Sequence, residues 1–173
     1  TSMHEAFKDR TSFNDDISNW NVSAVSAMDN MFRSAIAFNQ PLSSWNTSSV
    51  ENMSNMFYDT DVFNQNINTW NVSAVTKMGG MFYNTGVFNQ PLSSWDTSSV
   101  TNMVGMFTSA ASFDQNINSW NVSAVTTMED MFNGAVTFNQ PLNSWDTSKV
   151  QNMAEMFRSA IAFNQPLSSW NTS

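Results

Sequence analysis

The side chains able to do chemistry in this chain are mostly amides and hydroxyls, set in rows of one fixed step. One row holds Asn21, Asn46, Asn71, Asp96, Asn121, Asp146 and Asn171, each 25 residues after the last. Two residues further on runs a serine row, Ser23, Ser48, Ser73, Ser98, Ser123, Ser148 and Ser173. A second amide row, Asn39, Asn64, Asn89, Asp114, Asn139 and Asn164, has Gln40 to Gln165 beside it. Such groups donate and accept hydrogen bonds, and their hydroxyls are weak nucleophiles without an activating base. Their chemistry is recognition, or the satisfaction of the chain's own backbone. The first row is the candidate binding face. The serine row is expected to cap helices, and the second amide row to form a buried ladder in a turn.

Catalysis has little to work with. His4 is the single histidine, at the start of the chain; a His-based triad or metal centre would need it, and it is expected to be a tag remnant or an exposed surface residue. Cysteine is absent, which removes thiolate chemistry and disulfides. The carboxylates are scattered. Asp96 and Asp146 share a slot, but two repeat steps separate them and Asn121 lies between, which is too far for an acid/base pair. Gly79-Gly80 stands without a phosphate-binding loop. No enzyme activity, cofactor or metal is therefore expected. The net charge is −8, with six Lys and Arg against fourteen Asp and Glu. That balance opposes nucleic-acid binding and attraction to anionic membranes. No apolar run is long enough to insert in a bilayer.

The rows require elements that repeat with them. Trp20, Trp45, Trp70, Trp95, Trp120, Trp145 and Trp170 keep the step, and two phenylalanine columns do too, from Phe7 to Phe157 and from Phe13 to Phe163. A constant period of this size is the mark of stacked repeats. The spacing of Leu42, Trp45 and Thr47 predicts a short leucine-rich-repeat strand pointing these residues inward, with Val22, Val72 and Val122 in the threonine slot of other coils. Val50, Met53, Met56 and Phe57 fall at i, i+3, i+6 and i+7, which predicts a short helix with Ser48 as its N-cap. The expected fold is a repeat solenoid of leucine-rich-repeat-like coils of about 25 residues, each with one short β-strand and one short helix, stacked in parallel. It forms one domain over 1–173, with a partial repeat at 1–12 and coils beginning near 13, 38, 63, 88, 113, 138 and 163, the last truncated. A second period of 50 alternates Pro41, Pro91 and Pro141 with coils that lack proline, and residues 156–173 duplicate 31–48. Ends without distinct caps suggest a fragment of a longer or engineered array and leave room for end-to-end self-association.

The stretch Phe88-Asn89-Gln90-Pro91-Leu92-x-x-Trp95-Asp96-Thr97-Ser98-x-Val100-Thr101-Asn102-Met103-x-x-Met106-Phe107 resembles the repeat of BspA-like bacterial surface proteins, a leucine-rich-repeat variant. The resemblance extends over essentially the whole chain. It implies an extracellular or cell-surface module that binds a protein or a glycan, as in adhesion, without catalytic residues to carry over. Near-identical repeats favour the alternative of a structural spacer or consensus-built array with no ligand of its own. Ice binding would need an outward threonine row, whereas Thr47, Thr97 and Thr147 are expected to face inward. The Asn-x-Ser sequons follow from an Asn- and Ser-rich composition and matter only in a eukaryotic source.

Overall fold

The computed structural model describes residues 1–170. Its backbone is built from turns. In the segment from Met53 to Thr60, every second amide donates to the following coil: Met53 to Lys77 O, Asn55 to Gly79 O, Phe57 to Met81 O and Asp59 to Tyr83 O, at 2.8–3.0 Å. The amides between them fold back locally: Met56 donates to Met53 O, Tyr58 to Asn55 O and Thr60 to Phe57 O, each at 3.2 Å. The result is three consecutive turns welded sideways to the next coil. The same pattern recurs one step earlier, with Met28, Asn30, Phe32 and Ser34 donating to Asn52, Ser54, Met56 and Tyr58.

This overturns the expected coil of one strand and one helix. No helix and no extended strand occurs among the described residues, and parallel pairing is confined to isolated bridges joining Ser2, Ala27, Asn52, Lys77, Asn102, Thr127 and Asn152 in series. The reason is local. Two slots per coil sit at positive φ: Asn30 and Ser34, Asn55 and Asp59, Gly80 and Asn84, Gly105 and Ser109, Asp130 and Gly134, near 54–71°. Left-handed residues cannot continue a right-handed helix, and Gly, Asn and Asp adopt that region at least cost. The expected leucine-rich-repeat strand at Leu42–Thr47 is also absent. Trp45 donates instead to Leu42 O in a turn at 3.1 Å, and the bridges fall at 52, 77 and 102, inside the segment expected to begin the helix.

The inward set is nevertheless the expected one. Leu42, Trp45, Thr47, Val50, Met53, Met56 and Phe57 are all buried, as are Val22, Val72 and Val122. Like residues lie over like residues. Phe32 stacks on Phe57 at 5.5 Å, Phe57 on Phe82 at 5.8 Å and Phe82 on Phe107 at 5.6 Å, nearly parallel. The two columns meet where one coil passes into the next, as in Phe32–Phe38 at 4.0 Å. Trp pairs follow the period of 50, with Trp45 on Trp70 at 6.3 Å and Trp95 on Trp120 at 6.1 Å. Each indole Nε1 donates to a carbonyl 28 residues earlier: Trp45 to Ile17, Trp70 to Leu42, Trp95 to Ile67 and Trp120 to Leu92, at 2.9–3.1 Å. Trp20 packs against Phe7 at 5.6 Å but is 44% exposed. At the first and last described coils the columns are only partly covered, at Phe7 and Phe13 and at Phe157 and Phe163.

Candidate functional site

The predicted binding row is exposed at every described position, Asn21, Asn46, Asn71, Asp96, Asn121 and Asp146; Asn171 lies outside the described residues. Each of these six closes a small turn. Its Oδ1 accepts the backbone N–H of the serine two residues on, at 3.0–3.1 Å, from Ser23 through Ser148. Asn and Asp are favoured there because their short side chains imitate a backbone carbonyl. The described members of the serine row therefore cap no helix: their amides are the donors of these Asx turns, and Ser173 lies outside the described residues. Ser23 and Ser73 also donate their hydroxyls to Asn21 and Asn71. Hydrogen bonds from the Ser98 hydroxyl and amide hold the Asp96 carboxyl below its ordinary range, and Ser148 does the same for Asp146. Both stay charged at neutral pH.

Beside two members of this row the surface opens into a cleft of about 660 Å³, bordered by Asn116, Asn118, Trp120, Asn121, Ser144 and Asp146. Its wall is organised. Asn118 donates through Nδ2 to Ser144 Oγ and accepts the Ser144 N–H at Oδ1, both at 3.0 Å. Asn118 and Ser144 had not been singled out from sequence. Asn68 and Ser94 make the same pair in the coils 50 residues earlier.

The second amide row is a ladder. Asn64 N–H donates to Asn39 Oδ1, Asn89 N–H to Asn64 Oδ1, Asp114 N–H to Asn89 Oδ1 and Asn139 N–H to Asp114 Oδ1, at 2.9–3.0 Å. The adjacent glutamines donate to the same oxygens, as Gln90 does to Asn64 and Gln140 to Asp114. It is half-buried rather than buried from Asn39 to Asn139, and exposed at Asn164. Thr47 and Thr97 point inward and donate to Asn71 O and Asn121 O at 2.9 Å, so they form no outward face for ice. His4 is exposed and pairs with Asp29 and Glu5. Among the described residues no group of three or more His, Asp or Glu is placed to hold a metal ion, and no helix is long and apolar enough to cross a membrane.

Stacked 25-residue units, carrying uninterrupted side-chain columns and polar ladders, define a tandem-repeat protein. The family described as "Mycoplasma protein of unknown function, DUF285" matches over residues 1–95 and again over 81–173. The chain belongs to that family. No curated protein and no solved structure matches it.

Proposed function

We propose that this chain is a non-catalytic binding module, displayed on a cell surface or secreted, that takes a protein or a glycan along its Asn/Asp row. The observation that carries the reading is the run of exposed amides and two ionised carboxylates in one line, with the cleft beside Asn121 and Asp146. Ligands that bind through hydroxyls or backbone amides fit such a wall. The resemblance of the Phe-Asn-Gln-Pro-Leu and Val-Thr-Asn-Met segments to BspA-like repeats supports the surface location and the adhesive role. The test is a glycan and matrix-protein array probed with the native chain and with an Asn118→Ala, Asp146→Ser double variant. Binding that the variant loses while its melting temperature holds supports the reading. An array with no bound partner contradicts it.

A second reading has its own support. All six described row residues are engaged in turns of their own coil, as a spacer without a ligand would require. In that case replacing the row lowers melting, and no array partner appears.

A further inference from the structure

One surface column breaks the repetition. Its slots hold Lys8, Arg33, Tyr58, Tyr83, Thr108, Asn133 and Arg158. Tyr58 and Tyr83 stack at 4.3 Å with planes 6° apart. Arg33 lies over Tyr58, its Cζ 4.7 Å from the ring centroid. The run of large flat groups then stops, because the next slots carry Thr108 and Asn133. Beside this step lies a cavity of about 370 Å³, bordered by Tyr83, Asn102, Thr108 and Asp130. Three of the chain's five glycines, Gly79, Gly80 and Gly105, also border it. A Cβ on Gly79 would come within 2.9 Å of Asn102 Oδ1, and one on Gly105 within 3.2 Å of Thr108 Oγ1 and 3.8 Å of the Tyr83 ring. Side chains at these glycines would crowd the groups that border the cavity. Asp130 is fixed at its edge: Thr108 donates to its carbonyl at 2.6 Å, and Asn133 donates to its Oδ1 at 2.7 Å.

We propose that this cavity binds a guanidinium group, presented by an arginine of a protein partner. The chain supplies its own precedent, since Arg33 already lies on the first ring of the two-tyrosine stack. A planar cation against Tyr83 would repeat that contact at the other end of the stack, where a ring face attracts it. Asp130 would add the carboxylate for which a guanidinium is shaped. The net charge of −8 steers a basic partner toward the surface. The site shares no lining residue with the cleft at Asn121 and Asp146, so it stands or falls independently of the function proposed for that cleft.

The probe is N-acetyl-arginine amide, titrated into the whole chain while the Tyr83 ring and Asp130 amide signals are followed by NMR. The citrulline analogue, the lysine analogue and methyl glucoside serve as comparisons. The expected result is saturable shifts at both residues, with the arginine probe at least tenfold tighter than citrulline and tighter than lysine. Asp130→Asn, which installs the residue found at Asn30 and Asn55 in the same slot, should weaken it at least fivefold without moving the melting temperature. Tyr83→Thr should also weaken it at least fivefold, with Asp130→Asn serving as the variant whose stability is held. No saturable shift, equal binding of citrulline, a preference for the glucoside, or full affinity in Asp130→Asn would overturn the assignment.

Discussion

Asp96 stands in a slot that Asn21, Asn46, Asn71 and Asn121 fill in other coils, and the difference can be read by pH. Ser98 hydrogen bonds lower the folded-state pKa of Asp96. A carboxyl with a depressed folded pKa stabilises the fold above its unfolded value, near 3.9, and that contribution is lost as pH falls through the folded value. Asp96→Asn keeps the turn and removes the titration. The variant should lose less stability than the native chain between neutral pH and the acid side of that value, as followed by urea melts across pH. Parallel acid profiles would show that the serine bonds do not discriminate the charged form. The indoles offer a second comparison. Trp120 is buried and donates to Leu92 O at 3.0 Å. Trp120→Phe should cost about 1–3 kcal/mol, since it strands a buried carbonyl and trims the column. Trp20→Phe, at an exposed position, should stay within about 0.5 kcal/mol. Equal losses in denaturant melts would contradict the indole-to-carbonyl account.

At the scale of the element, the apolar spacing was a sound guide to which side chains face inward and a poor one to the backbone that carries them. Val50, Met53, Met56 and Phe57 satisfy a helical stripe, and all four are buried. A run of turns can satisfy the same stripe, because it also returns the chain to one face every three or four residues. What distinguishes the two is the residue at the left-handed slots. Gly80, Gly105 and Gly134 at positive φ, with Asn, Asp, Ser or Glu in the matching slots of other coils, were visible in the sequence as breakers placed where a helix interior would have to be. The Asx turns at Asn46 and Asn71 were hidden for a related reason: a serine before an apolar run is as good an N-cap as it is a turn donor. The Asn/Asp row was legible as a line of amides, and its described members are exposed. The Asn118–Ser144 wall was not, because it pairs residues 26 apart and needs the stacking geometry. Two glycines test the turn account. A Cβ on Gly80, whose φ is +63°, would lie 2.1 Å from Asn55 Oδ1, whereas one on Gly86 meets nothing within 4 Å. Gly80→Ala should destabilise by more than about 1 kcal/mol, and Gly86→Ala should be neutral or stabilising by up to about 1 kcal/mol. The reverse order in thermal melts would contradict it.

Over the whole molecule, each coil contributes one layer to every column, and neighbours are joined by backbone bonds, indole bonds, asparagine ladders and ring stacks at once. A single 25-residue unit closes its own turns, but the amides that reach across, those of Met53, Asn55, Phe57 and Asp59 among them, find partners only when the next unit is in place. Stability should therefore come from coil-to-coil interfaces rather than from isolated coils. The most direct measurement is the scalar coupling across individual hydrogen bonds by NMR, from the amide nitrogen of Phe57. Pairing with the next coil predicts a coupling to the carbonyl carbon of Met81, 24 residues on, across the 3.0 Å bond. A coupling to the carbonyl of Met53 would instead place Phe57 in an α-helix and contradict the turn-built stack.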